Sequence, residues 1–130
     1  MAKGKIVGHA PILLVKDVIK SAEYWRDKVG FSYSRLWGEP PAFCMPHRDG
    51  HVIMLSQAPK DHVIVPHWKI VDKMWIAYFW VDDVEAIHAE LVERSALIDD
   101  DLCIQPDDVK KFGIQDLDGH DIAFGQDLDP

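Results

Sequence analysis

The sequence has few cysteines, few basic residues and no long apolar run. Its 130 residues include 2 cysteines, too few for a disulfide framework or a thiolate metal site. Lys and Arg number 14 against 22 Asp and Glu, and the net charge of −8 argues against a nucleic-acid partner. No stretch approaches the ~18 consecutive apolar residues of a membrane span. We therefore expect a globular, cytoplasmic protein that binds neither nucleic acid nor membrane.

The acidic residues are concentrated in the second half of the chain. Residues 1–65 hold 9 Lys/Arg and 6 Asp/Glu, whereas residues 66–130 hold 5 and 16. Halves of opposite sign attract each other within a chain or across a dimer, and an acidic face attracts cationic ligands. The run Asp99-Asp100-Asp101 by itself predicts a solvated acidic surface.

Two nine-residue stretches are nearly the same. "DGHVIMLSQ" runs from Asp49 to Gln57 and "DGHDIAFGQ" from Asp118 to Gln126, and a Phe precedes each copy by six residues. Upstream, "VKDV" at 15–18 matches "VDDV" at 81–84. Since a chain of this length fits one compact domain, the repeat predicts a single α+β domain of two tandem βαβββ modules. The expected ranges are 6–57 for the first module, 58–73 for a connector and 74–126 for the second module.

Each module contains one predicted amphipathic helix. Asp17 is placed to cap a helix from Val18 to about Lys28, and Gly30 is the expected left-handed stop. The apolar stripe of this helix is Val18, Ala22, Trp25 and Val29. The second helix is capped by Asp82 or Asp83, with Asp82 and Glu85 at capping-box spacing. Its stripe is Val84, Ile87, Leu91 and Val92.

Alternation along the strands divides the repeat into two faces. Ile53 and Leu55 in the first copy, like Ile122 and Phe124 in the second, keep one face large and apolar, as packing against helices requires. The opposite face changes between copies and is free to be specialised. We expect a curved mixed sheet with helices on its convex side and a concave face lined by Ala10, Ile12, Leu14, Met54, Ile76, Tyr78 and Trp80.

The paired module plan, the two "V-x-D-V" junctions, "VGF" at 29–31 and "D-x-D-G-x-x-I" at 116–122 resemble the vicinal oxygen chelate superfamily. That superfamily includes glyoxalase I, extradiol dioxygenases, fosfomycin-resistance enzymes and bleomycin-resistance proteins. The resemblance implies four metal-ligand positions on the concave face, one on the first and one on the last strand of each module. Here those positions fall on Ala10, Met54, Ile76 and Ala123, none of which is a ligand for a hard or borderline metal.

The resemblance is closest to the metal-free bleomycin-resistance branch, whose members are small acidic dimers that bind a cationic, flat-ringed drug. It implies a homodimer without metal or cofactor that binds a hydrophobic or cationic aromatic small molecule in an apolar cleft. Aromatic faces stack on planar rings and attract cations, each contact contributing on the order of 1 kcal/mol. The predicted ligand-binding residues are Ile12, Leu14, Trp37, Met54, Trp75, Tyr78 and Trp80; no catalytic residue is predicted.

Three alternatives remain open on the sequence. One is a divalent-metal-dependent lyase or dioxygenase of the same superfamily, in which a bulge at Pro11 turns His9 into the cleft and another histidine joins it. A second is a metal-free enzyme with Asp121 or Glu39 as a base. The third is a structural or regulatory dimer with no ligand. His51 and His120 follow the two Asp-Gly turns, and their repetition favours a structural role.

Overall fold

The computed structural model describes residues 3–130, which contain two α-helices, one 3-10 turn and ten strands. In the first half these are β1 (Ile12–Val15), α1 (Val18–Val29), β2 (Leu36–Trp37), β3 (Phe43–Cys44), β4 (His47–Arg48), β5 (His51–Val52) and β6 (Met54–Gln57). The 3-10 turn spans His67–Lys69. The second half has β7 (Ala77–Trp80), α2 (Val84–Glu93), β8 (Leu97–Ile104), β9 (Val109–Gln115) and β10 (Asp121–Asp127).

The strands form two four-stranded mixed sheets of the same topology. The first has the order β1-β6-β3-β2 and the second the order β7-β10-β9-β8, while β4 and β5 form a small separate ribbon. In each sheet the first strand runs parallel to the last strand of its module, and the other pairs are antiparallel. The predicted α+β fold of two βαβββ modules is thus confirmed. Within residues 3–130 the two sheets are not joined by a strand ladder.

The first helix forms as predicted. The Asp17 carboxylate accepts hydrogen bonds of 3.1 Å from the backbone N–H groups of Ile19 and Lys20, and so satisfies donors that the first turn leaves free. Gly30 ends the helix at φ +77°, a conformation that favours glycine. The predicted stripe of Val18, Ala22, Trp25 and Val29 is completely buried.

The second helix departs from the prediction in two respects. Asp83 is the N-cap and accepts from the Ala86 N–H, so the expected capping box of Asp82 with Glu85 does not form. Glu85 instead pairs with Lys110. Val84 and Leu91 are buried as expected and Ile87 is partly buried against the core, but Val92 is 52% exposed.

Residue alternation correctly assigns the buried face of both sheets. Leu13, Val15 and Leu55 in the first sheet and Ile53 just before β6 are completely buried, and Ile122 and Phe124 in the second sheet are buried too. These residues belong to one hydrophobic core shared by both modules. We call the opposite side of each sheet its open face. Burial of the apolar face contributes roughly 25 cal/mol per Å², so this alternation sets which side of each sheet faces α1 or α2.

A chain of aromatic contacts joins the modules through this core. The ring centroids of Trp25 and Phe31 are 5.0 Å apart, and Phe31 lies 5.8 Å from Phe79 of the second module. Phe79 stacks on Phe124 at 5.5 Å, and Phe124 on Phe112 at 5.1 Å. The two modules therefore pack their helix-bearing sides together and leave both open faces outward.

Three other expectations about local structure have different outcomes. The stretch "FSYSRLW" at 31–37 predicts a second strand, but β2 covers only Leu36–Trp37, and Phe31 is buried in the aromatic core. The stretch "LIDDDLCI" at 97–104 is a weaker strand pattern, yet β8 covers all of it, although its pairing with β9 is interrupted by register shifts. Of the two histidines for which the repeat predicts a structural role, His120 is buried with its Nε2 2.8 Å from the Leu14 carbonyl oxygen, whereas His51 is exposed.

In the region described, neither helix has the length and apolarity required to cross a bilayer.

Candidate functional site

The open face of the second sheet is covered in part by its own tyrosine. Tyr78 pairs with Ala123, and Trp80 pairs with Gly125 on the adjacent strand. The Tyr78 ring lies directly over Gly125, so that a Cβ on this glycine would be 2.8 Å from the tyrosine Cζ. Ala123 is completely buried beneath the same surface. The small residues at 123 and 125 therefore leave the space that Tyr78 occupies.

Trp75, Tyr78 and Trp80 form a continuous aromatic row, which we call the aromatic row below. The Trp75 and Tyr78 centroids are 5.1 Å apart at 77°, and Tyr78 and Trp80 are 4.9 Å apart at 46°. Trp80 is 64% exposed and therefore has a free ring face. Burial raises the pKa of Tyr78, which keeps its hydroxyl protonated as a hydrogen-bond donor at neutral pH.

A cavity of about 390 Å³ opens beside Trp75 on this face. Lys111 lies in its wall, is 7% exposed, and donates a 2.6 Å hydrogen bond from Nζ to Asp100. The same Nζ lies 5.3 Å from the centroid of the Trp75 ring. Lys73, Asp99, Cys103, Gln105 and Asp121 complete the lining. The cavity thus combines an aromatic wall with three aspartates and two lysines, of which Lys111 is paired with Asp100.

Asp99 and Asp121 interact with each other in this cavity. Desolvation of the Asp99 carboxyl, together with a hydrogen bond to Asp121 and the charges of Asp121 and Asp100, raises the pKa of Asp99 to about 7. Oδ1 of Asp121 is shielded from solvent, and in residues 3–130 no group other than the Asp99 carboxyl is placed to donate a hydrogen bond to Asp121. The run at 99–101 is therefore not only the solvated acidic surface that the sequence predicts. Its members are exposed, but Asp99 and Asp100 also line the cavity.

The open face of the first sheet is apolar and accessible. Ile12 is 63% exposed and lies in register with Met54, and Leu14 is 42% exposed. Ile12 and Leu14 line a cavity of about 340 Å³ together with Val63, Val65, Ile76 and His120, among others. Trp37 lies on the same face further along, where it contacts Phe43 at 5.8 Å and the Arg35 guanidinium at 4.5 Å.

The structure therefore brings together only some of the predicted binding residues. Trp75, Tyr78 and Trp80 form one group, Ile12 and Leu14 form another with Met54 alongside, and Trp37 contacts neither. Asp99, Lys111 and Gly113 are not among the residues that the sequence predicts to bind a ligand. In the sequence, this region is marked only by the acidic run at 99–101, which lies within a weak strand pattern. A bulge in that strand determines where Asp99 points.

The four positions at which the resemblance implies metal ligands do not fit a hard or borderline metal. Ala10, Ile76 and Ala123 have no donor atom in their side chains, and Met54 offers only a soft thioether. His9 lines a cavity of about 560 Å³ together with Tyr78 and Trp80. Across residues 3–130, no group of three or more His, Cys, Asp or Glu side chains is arranged to hold a metal ion.

The fold and these open faces define a two-module α+β protein with an aromatic and acidic surface. The sequence pattern of the Glyoxalase/Bleomycin resistance protein/Dioxygenase superfamily matches residues 6–124. The chain belongs to this superfamily. No curated protein matches the sequence.

Solved structures from several bacteria share the fold at low sequence identity. TioX from Micromonospora sp. ML1 is 17% identical with a TM-score of 0.72, over 93% of this chain and 98% of that one. A glyoxalase/bleomycin resistance protein/dioxygenase from Alicyclobacillus acidocaldarius is 12% identical with a TM-score of 0.76, over 94% and 92%. The bleomycin-binding protein from bleomycin-producing Streptomyces verticillus, complexed with copper(II)-bleomycin, is 20% identical with a TM-score of 0.70, over 94% and 97%.

Proposed function

We propose that this protein binds a hydrophobic or cationic aromatic small molecule in an apolar cleft, as a homodimer, without a metal, a cofactor or a catalysed reaction. The observation that carries the proposal is the aromatic row of Trp75, Tyr78 and Trp80 on an open face. Rings held at about 5 Å from one another present flat and edge surfaces that suit a planar heterocycle. One structural neighbour is a bleomycin-binding protein, and its ligand supports the same class of activity here.

The charge of the second module supports a preference for cations. Of the 22 acidic residues, 16 lie in residues 66–130, the half that contains the aromatic row. A concentration of negative charge around an apolar surface raises the local concentration of cationic ligands. An aromatic cation would gain both from stacking and from the attraction of its charge to the ring faces.

Exposed apolar side chains support the dimer. Ile12, Leu14 and Trp80 are exposed on the two open faces, and Val63, Val65, Ile70 and Val71 of the connector are exposed as well. Extended apolar surface on a small protein is typical of an interaction site. If a second copy of the chain packed one of its open faces on an open face of the first copy, the shallow cavities there would become enclosed clefts.

Titration with planar aromatic compounds, followed by tryptophan fluorescence and calorimetry, tests the proposal. We expect saturable binding by at least some cationic members of the panel and quenching of the Trp80 emission. Trp80→Ala should weaken that binding about five- to thirtyfold, since loss of one aromatic contact that the ligand buries costs about 1–2 kcal/mol. Val92→Ala, which removes an exposed apolar side chain on α2 away from both open faces, is the control and should bind like the parent.

Two further measurements separate the alternatives. Sedimentation equilibrium should give a dimer, and a protein that stays monomeric at all concentrations contradicts the dimeric cleft. Metal analysis of protein purified without a histidine tag should show no stoichiometric Fe, Mn, Ni or Zn. Stoichiometric metal would instead support the lyase or dioxygenase, and absence of binding across the whole panel would favour a structural dimer.

A further inference from the structure

We propose that Tyr78 is a displaceable gate that selects ligands by length, because its ring separates two cavities that a longer ligand would join. This inference rests on the proposed function and gives Tyr78 a role different from that of its two neighbours in the aromatic row. Trp80 lines one of the cavities and Trp75 lines the other, whereas the ring of Tyr78 lies between these two tryptophans.

The two cavities lie at different strands of the second sheet. The cavity of about 560 Å³ is lined by the edge strand β7, from Ala77 to Trp80, among others. The cavity of about 390 Å³ is lined by Lys111 of β9 and by three residues of β8, among others. Because β10 lies between β7 and β9 in the sheet, the path from one cavity to the other crosses β10.

Gly125 of β10 is the point at which this path crosses. It pairs with Trp80 on β7 and with Lys111 on β9, so a wall of one cavity lies on each side of it. The Tyr78 ring lies over Gly125, where a Cβ would be 2.8 Å from the tyrosine Cζ and 2.9 Å from its Cε1. The tyrosine ring therefore fills the passage between the two cavities.

Aromatic contacts on both sides accompany the Tyr78 ring in this place. Its centroid lies 5.1 Å from that of Trp75 and 4.9 Å from that of Trp80. A ligand ring over Gly125 would make the same two contacts, because the energy of an aromatic pair depends on the distance and tilt of its rings. Tyr78 thus occupies a place that suits a ring of the ligand, and a ligand that takes this place must displace the tyrosine.

The width of β10 sets the class of ligand. Adjacent strands lie ~4.8 Å apart, so the path from β7 to β9 is about 10 Å long, close to the length of two directly linked six-membered rings. A ligand with one ring fits into a single cavity and leaves Tyr78 in place. A flat ligand with two linked rings spans both cavities, and Tyr78 weakens its binding because only molecules with an open gate can accept it.

Two probes with the same cationic group test the gate in the parent protein. Benzyltrimethylammonium has one ring, and (biphenyl-4-ylmethyl)trimethylammonium has two. The chain contains 3 tyrosines, so labelling with 3-fluorotyrosine gives a small set of fluorine resonances that Tyr→Phe substitutions assign. We expect the two-ring probe to shift the Tyr78 resonance strongly, as this ring leaves Trp75 and Trp80, and the one-ring probe to shift it much less.

Variants separate gating from an ordinary contact with the ligand. Tyr78→Ala opens the passage and should bind the two-ring probe about tenfold more tightly than the parent does, because no pair of ring contacts has to be broken first. Its affinity for the one-ring probe should stay nearly unchanged. Tyr78→Phe keeps a ring over Gly125 and is the matched control, which should bind both probes like the parent. Calorimetry measures the affinities, and circular dichroism confirms the fold of each variant.

The outcomes distinguish the gate from the function on which it rests. If both probes shift the Tyr78 resonance alike, or if folded Tyr78→Ala binds the two-ring probe no more tightly than the parent does, the gate is refuted and the aromatic binding site stands. The same holds if neither probe binds although other planar compounds do. If the whole panel fails to bind, the gate and the proposed function fall together. A selective shift of Tyr78 by the two-ring probe supports the gate even if Tyr78→Ala does not fold.

Discussion

The hydroxyl group of Tyr24 donates a 2.6 Å hydrogen bond to the Gln115 carbonyl oxygen and accepts a 3.1 Å hydrogen bond from the Leu97 N–H. The Tyr24 side chain on α1 thus satisfies two backbone hydrogen-bonding groups of the second sheet, one on β8 and one on β9. Burial raises the pKa of Tyr24 to about 12, so the hydroxyl keeps its proton over the whole neutral range. The modules are therefore joined by a directional contact as well as by their apolar core.

Tyr24→Phe should destabilise the protein by about 1–2 kcal/mol, because it leaves one donor and one acceptor without a partner. Urea unfolding followed by circular dichroism measures the loss. Tyr33→Phe is the matched control, since the Tyr33 hydroxyl is near only the Arg26 guanidinium at 3.4 Å on the surface, and its substitution should change stability little. Equal stabilities for the two variants would contradict the bridging role of Tyr24.

Gly125→Ala should displace Tyr78 from the open face. The added methyl group would overlap the tyrosine side chain, and we expect its displacement toward solvent to cost about 1 kcal/mol rather than to unfold the protein. Movement of Tyr78 should change the fluorescence of Trp75 and Trp80, its two neighbours in the aromatic row. Gly8→Ala is the control, because no atom lies within 4 Å of the position of its Cβ. An unchanged emission spectrum in Gly125→Ala would mean that Tyr78 does not cover this glycine in solution.

Most of the scaffold could be predicted from the sequence because its signals are local. The Asp17 cap, the Gly30 stop and the alternation around Leu55 and Phe124 each depend on a few neighbouring residues. The repeated Asp-Gly turns then showed that the plan occurs twice. These features decide which face of each sheet is buried, and the structure agrees.

The candidate site was less predictable because it depends on contacts between distant strands. Whether Asp99 faces solvent or Asp121 is decided by the register shifts in β8 and by the missing side chain at Gly113, neither of which a residue pattern reveals. Trp37 and Trp75 both looked suitable for the same cleft. Only the separation of the two sheets shows that they belong to different surfaces.

Asp116 should make the protein more stable at mildly acidic pH than at neutral pH. Burial raises its pKa to about 6, although the backbone N–H groups of Asp118 and His120 donate to its Oδ1 at 3.0 and 2.8 Å. In the unfolded chain its pKa is about 3.9. The pKa of Asp116 is thus higher in the folded protein than in the unfolded chain. Its contribution to the free energy of unfolding is therefore largest below about pH 4 and is lost as the pH rises through about 6. The full change is roughly 3 kcal/mol.

Asp116→Asn should remove this dependence, because the amide oxygen still accepts both backbone hydrogen bonds and cannot ionise. Urea unfolding of parent and variant at about pH 4.5 and about pH 7 measures the difference. The variant should gain stability relative to the parent at the higher pH. Asp107→Asn changes an exposed acid in the same module and should leave the parent profile intact. Parallel profiles for Asp116→Asn and the parent would contradict the buried ionisation.

The ion pair between Arg48 and Glu90 should stabilise the contact between the modules and weaken in acid. Arg48 binds Glu90 through two hydrogen bonds of 3.0 and 2.7 Å and donates a third, of 3.0 Å, to the Val29 carbonyl. The Arg48 guanidinium, with a smaller effect from Arg94, lowers the pKa of Glu90. Because the folded pKa lies below that of the unfolded chain, the stabilisation is present above about pH 4.3 and is lost as the pH falls through the folded pKa.

Glu90→Gln should therefore cost about 1 kcal/mol at neutral pH, since both partners are partly exposed, and less at acidic pH. A double-mutant cycle with Arg48→Gln, measured by urea unfolding, isolates the interaction of the pair. Asp27→Asn removes the surface pair of Asp27 with Arg26, which solvent screens, and should leave stability unchanged at both pH values. A coupling free energy near zero between positions 48 and 90 would show that this contact does not hold the modules together, and would leave Tyr24 and the aromatic core as the links between them.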